Sequence, residues 1–156
     1  MSEYTFSIKK YLTKEEQGEY WKSNIGILTE LGEKYCPQVE LNGGLPITPA
    51  YFDYLRTSWM LDENPEKLAQ QPVLSALGFA FGFVLEKSLG LKWALIEDSY
   101  GEIISLIADP RGDSFKYGNI SIPPFSFVEK RAELLNSDAL EDGFNQIKEM
   151  LGETSN

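Results

Sequence analysis

Hydrophobic residues recur along this chain at a spacing that shifts between about two and about 3.6 residues, and each shift marks a change of element. Tyr4, Phe6 and Ile8 alternate with polar residues, predicting a short strand, and Lys9 and Lys10 after it suit a sheet edge. Thr13 and Glu16 have capping-box spacing and predict a helix start. Trp21, Ile25, Leu28 and Tyr35 then share one helical face, with Leu31 and Gly32 beside it, until Cys36-Pro37 stops the pattern. Asn42-Gly43-Gly44 reads as a turn, since a phosphate-binding loop would need a strand before it, a helix after it and a following lysine. Thr48-Pro49 supplies the cap and first position of a second helix, with Phe52, Leu55 and Trp59 as its inner stripe. A polar connector, DENPEKLAQQP, carries one expected helical turn around Glu66 to Ala69 and ends at Pro72, which opens the central helix.

From Val73 to Ser88 almost every position before Glu86 is apolar or small, so this helix must be covered on more than one side. Gly78 and Gly82 lie on one of its faces, and each costs about 1 kcal/mol relative to alanine, so close approach of a neighbouring element is expected there. Gly90 suits the left-handed position after a helix. LKWALIED and EIISLIA then form a hairpin around Ser99-Tyr100-Gly101, with Trp93 and Leu95 on one face and Ala94 and Ile96 on the other, which makes both strands central. FKYGNISI reads as a third strand with a bulge at Gly118. After Pro123-Pro124 a helix is expected, with Ser126 and Glu129 at capping-box spacing and Val128, Leu134 and Leu135 as apolar positions. Ser137 or Asp138 caps a last helix striped by Leu140, Phe144, Ile147 and Leu151, and Glu153 to Asn156 is a frayed tail. The pattern as a whole predicts an α+β fold, a small antiparallel β-sheet of three or four strands packed against about five α-helices. Its 156 residues suit one globular domain, with a helical N-terminal part at 13–61, the central helix, hairpin and third strand at 73–122, and C-terminal helices at 124–151.

Composition narrows the functional classes more than it names one. The chain has 24 acidic against 14 basic residues and a net charge of -10, which opposes binding to nucleic acid and favours a basic protein partner, while also serving solubility. The longest uncharged apolar run, Val73 to Leu85, is shorter than the roughly 20 residues that span a bilayer, so no membrane association is expected. A single cysteine, Cys36, and an N-terminus without an apolar leader point to a cytoplasmic setting. At the end of a helix, where the dipole disfavours a thiolate, Cys36 reads as a buried structural thiol. The absence of histidine eliminates Ser-His-Asp and Cys-His nucleophile pairs and histidine-based metal sites, and no cofactor motif is present. Arg111-Gly112-Asp113 and the sequon at Asn119 have no role without an extracellular setting.

One ordered set of residues stands out: Leu77-Gly78, Phe81-Gly82, Leu85, Leu89-Gly90, Trp93, Asp98, Tyr100-Gly101, Pro124, Ser126, Val128 and Lys130-Arg131. Over roughly residues 73 to 135 this order resembles the bacterial family of uncharacterised proteins called domain of unknown function 3806. The resemblance implies a bacterial protein with this helix, hairpin and helix arrangement, and no activity that transfers.

The residues that gather charge and aromatic surface are Glu97, Asp98, Tyr100 and Glu102 around the hairpin turn, with Lys130 and Arg131 as their basic counterparts. Two readings follow. The first is a non-catalytic acidic protein-binding module, an inhibitor or immunity protein for a basic effector, steered by its charge. The second is a carboxylate-based enzyme or small-ligand-binding domain in which Asp98 and Tyr100 act with Arg131. Against any site, Asp98 also suits ordinary turn chemistry, accepting hydrogen bonds from loop amides.

Overall fold

The computed structural model describes residues 6–39, 44–108, 120–134 and 136–154. They form β1 (Ser7–Tyr11), α1 (Lys14–Tyr35), α2 (Pro49–Leu61), α3 (Gln70–Leu89), β2 (Lys92–Asp98), β3 (Gly101–Ile107), β4 (Ser121–Ile122), α4 (Pro124–Arg131) and α5 (Ala139–Thr154). The four strands make one antiparallel sheet in the order β1-β2-β3-β4, so the hairpin strands are central and the fold is α+β, as the periodicity predicts.

α3 is the centre of the core. Val73, Ala76, Leu77, Phe81, Val84 and Leu85 are all fully buried on it. Its length and composition would suffice to cross a bilayer, but most of its surface lies against the rest of the domain. The two glycines of α3 explain how. A Cβ at Gly78 would lie 2.9 Å from the Phe125 Cα of α4, and one at Gly82 would collide with the Trp93 ring of β2. One glycine thus admits a helix and the other a sheet, and Phe79 stacks on Trp93 with ring centroids 5.4 Å apart. On the far face of the sheet Ala94, Ile96 and Ile107 form a second buried cluster with Phe6, Ile8 and Ile103 against it.

Local signals hold at most element ends. The Thr13 hydroxyl accepts the Glu16 N–H at 3.1 Å while Glu16 accepts the Thr13 N–H at 3.0 Å, completing the capping box of α1. Thr48 caps α2 at the Tyr51 N–H, Gly90 closes α3 with φ 73°, and Cys36 is buried. β1 runs along the sheet edge, with a register irregularity between Ile8 and Lys10.

Several expectations are corrected. α3 begins at Gln70, so Pro72 sits inside its first turn rather than opening it. The connector around Glu66 makes turns, built on Asn64 and Asp62 side chains that accept main-chain N–H groups, and no helix. Ser126 and Glu129 form no capping box, because Pro123 already precedes the first turn and Ser126 lies inside α4. α4 stops at Arg131, which leaves Leu134 exposed beyond it instead of in an apolar stripe. Helical structure continues through Glu153 to Thr154. Of the expected third strand only Ser121–Ile122 is seen, and the expected bulge at Gly118, the tripeptide at Arg111, the turn residues Asn42 and Gly43, and Leu135 lie outside the described residues.

The start of α5 is the largest surprise. Its free main-chain donors go neither to Ser137 nor to a side chain of Asp138: the N–H groups of Leu140 and Glu141 donate to the carboxylate of Asp53 on α2, at 2.9 and 2.8 Å. Asp53 pairs with Arg56 at 3.2 Å, and both are almost wholly buried. The Arg56 guanidinium donates to the carbonyls of Arg131, Ala132, Leu134 and Asn136, tying down the strap between α4 and α5. Burial pushes the Asp53 carboxyl upward against the opposing pull of the Leu140 and Glu141 amides and Arg56. The pair thus acts as a cross-chain helix cap and is part of the frame.

Candidate functional site

The hairpin end is shaped by its own turn. Asp98 closes β2 and its Oδ1 accepts the Tyr100 N–H at 2.8 Å, while Gly101 opens β3 at φ 119°, a conformation side chains rarely adopt. That local geometry thrusts Tyr100 outward, 93% exposed. The turn chemistry expected of Asp98 is therefore present, and it positions the aromatic ring.

Glu97 and Glu102 are register partners across β2 and β3, an arrangement in which like charges repel. Lys9 on β1 relieves it, with Nζ 3.4 Å from a Glu97 carboxylate oxygen. Glu97 is thereby drawn toward the β1 side. The other three turn residues, Asp98, Tyr100 and Glu102, line one side of an open cleft of about 410 Å³ whose opposite side is Ser121, Pro123, Ser126 and Lys130. Ser126 and Lys130 are four apart on α4 and so share one helical face.

Arg131 does not join them. Its side chain lies over Phe127, with the guanidinium carbon 3.6 Å from the ring centroid, and donates to the Phe127 carbonyl at 3.1 Å. Phe127 stacks on Phe81 at 4.6 Å, and Gly143 of α5 leaves the room that both Phe127 and Arg131 fill. Arg131 lines an adjoining hollow of about 330 Å³, and burial lowers its pKa. Of the six residues singled out by charge and aromatic surface, four face one cleft, one is held at the β1 side and one packs between α4 and α5. The far wall, Ser121, Pro123 and Ser126, carries no charge pattern that could have announced it. Its signal is the Pro123-Pro124 step that ends β4 and swings the chain into α4.

A larger cleft of about 490 Å³ lies over the connector between α2 and α3. Three of its polar side chains are engaged within the fold: the Trp59 indole N–H donates to the Leu68 carbonyl, Lys67 donates to the Trp59 carbonyl, and Asp62 accepts from Tyr35. We centre the candidate site on the hairpin end, where Tyr100 projects 93% exposed beside the cleft. The wall groups there are carboxylates, hydroxyls and one ammonium, and the cleft is open. Among the described residues no three acidic or thiol side chains gather as a metal-holding group. Compared with family models, with curated proteins and with solved structures, the chain finds no match.

Proposed function

We propose that this chain is a non-catalytic acidic protein-binding module that captures a basic partner at the hairpin end, in the manner of an inhibitor or immunity protein. The observation that carries this reading is Tyr100, which stands 93% exposed at the tip of a turn with Asp98 and Glu102 beside it over an open cleft. A projecting tyrosine supplies large contact area at low entropic cost, and flanking carboxylates steer and orient a cationic surface. The net charge of -10 adds a long-range attraction to the same class of partner and works against nucleic acid. The apolar surface of α3 is turned into the domain and serves no membrane contact in this reading. The resemblance to the uncharacterised bacterial family, and the lone thiol, fit a bacterial cytoplasmic setting.

The test is retention of proteins from a lysate of the source cells on the immobilised chain, washed at low and then high salt. A basic protein held at low salt, released at high salt, and lost with Tyr100→Ala and Glu102→Lys supports the reading. Retention indifferent to both substitutions, or no retained protein, refutes it. The cleft volume of about 410 Å³ also falls within the range for small ligands. That second reading requires saturable binding of a small molecule that changes Tyr100 fluorescence and withstands high salt.

A further inference from the structure

The sheet has two outer edges, and the chain treats them differently. On β1 the edge carries Lys9 and Lys10 and a register irregularity between Ile8 and Lys10, features that discourage a further strand. On the other side β4 covers β3 only at Leu106 and Ile107, through Ile122 and Ser121. The Ala108 N–H donates to the Ile120 carbonyl at 3.0 Å, so alternation along β3 aims the main-chain groups of Leu106, Ile104 and Glu102 toward that same outer edge. β4 ends opposite Leu106, Pro123 has no N–H to donate, and Pro124 begins α4. Among the described residues no strand pairs with the outward N–H and C=O of Ile104 or of Glu102. These outward groups lie beside the cleft bounded by Glu102, Pro123, Ser126 and Lys130.

The geometry points to β-strand addition: an extended basic segment of the partner continues the sheet past β4, its main chain pairing with Ile104 and Glu102. This inference rests on the reading that the hairpin end binds protein, and it specifies how. The side chains of Glu102, Ile104 and Leu106 share one face of β3. An antiparallel guest strand therefore places a Lys or Arg opposite Glu102 and, two residues away, an apolar side chain opposite Ile104. The partner motif is a basic and an apolar residue separated by one position, in an extended stretch free of proline.

The experiment uses the full chain, isotope-labelled, and the peptide Val-Thr-Lys-Thr with blocked ends, its valine to lie opposite Ile104 and its lysine opposite Glu102, short of the position that Ile122 occupies. Two analogues are compared, one N-methylated on the valine and lysine, whose N–H groups would face β3, the other on the threonines, whose N–H groups would face away. Binding should weaken by about tenfold or more for the first and change little for the second, because each lost hydrogen bond contributes about 1 kcal/mol. The amides of Glu102 and Ile104 should exchange more slowly with the parent peptide bound. Glu102→Pro, which deletes an outward N–H and no bond to β2, should weaken binding more than Glu102→Gln; if it fails to fold, the methylated peptides still decide. Equal binding of both analogues with unprotected Glu102 and Ile104 amides overturns strand addition while leaving surface binding intact. No binding of the parent peptide also overturns it, and the lysate experiment decides the broader reading separately.

Discussion

The Asp53 carboxylate of α2 accepts the Leu140 N–H of α5 at 2.9 Å, across a separation of 87 positions in the chain. With Arg56 holding the last carbonyl of α4 and three of the strap before α5, a single buried ion pair joins three helices. An N-cap supplied by a distant residue makes the last helix dependent on the second.

Arg56→Ala should therefore be severely destabilising. It leaves the Asp53 carboxylate buried without its counter-ion and strips donors from the carbonyls of Arg131, Ala132, Leu134 and Asn136. The expected loss is about 3 to 5 kcal/mol, measured as a shift in the urea unfolding midpoint. A loss below about 1 kcal/mol, the value of an exposed pair, would mean that water already shares this site.

Three glycine-to-alanine changes separate packing from helix propensity. At Gly26 of α1 nothing lies within 4 Å of a new Cβ, so alanine should stabilise by about 0.5 to 1 kcal/mol. At Gly78 and Gly82 the same change drives a methyl into Phe125 and Trp93 and should destabilise by about 1 to 3 kcal/mol despite the better propensity. Thermal unfolding of the three variants should give opposite signs.

Thr13→Ala removes one half of the capping box and frees the Glu16 N–H. About 1 kcal/mol should be lost, with the α1 amides near Gln17 exchanging faster while those near Leu31 are unchanged. Uniform loss of protection along α1 would instead show that the cap governs the whole helix.

The Tyr35–Asp62 hydrogen bond, 2.7 Å long, predicts a pH dependence with two limbs. Donation from Tyr35, then from the Asn64 N–H, and the nearby Lys34 hold the Asp62 carboxyl below the ordinary carboxylate range. Folding thus favours ionised Asp62, a contribution complete above the unfolded pKa of about 3.9 and lost as pH falls below it. Burial, then the Asp62 acceptor, raises the Tyr35 phenol far above its ordinary value. Neutral Tyr35 is favoured, so this contribution is complete below about pH 10 and is lost as pH climbs past it. Tyr35→Phe should flatten the alkaline limb and reduce the acid one in a plot of Tm against pH. An unchanged alkaline limb would assign it to other groups.

The elements themselves were legible in the sequence because their signals act over a few residues. Thr13 and Glu16 find one another within a single turn, Gly90 needs only its own backbone freedom, and Gly78 and Gly82 announce close contacts simply by costing helix stability. The cluster of Asp98, Tyr100 and Glu102 was equally visible, since a two-residue turn brings them together whatever surrounds it. What local rules could not supply was the environment of a charge. No local rule marks Asp53 and Arg56 of α2 for burial, and only the packing of α4 and α5 brings the amides and carbonyls that make it tolerable. Lys130 and Arg131 are neighbours in sequence, yet about 100 degrees of helical rotation sends one to the cleft and the other onto Phe127. The sequence by itself determined which helices and strands form, the caps of α1, α2 and α3, and which surfaces must approach closely. The tertiary structure alone decided which charges are buried and where β4 pairs with β3, because both depend on main-chain groups delivered from distant parts of the chain.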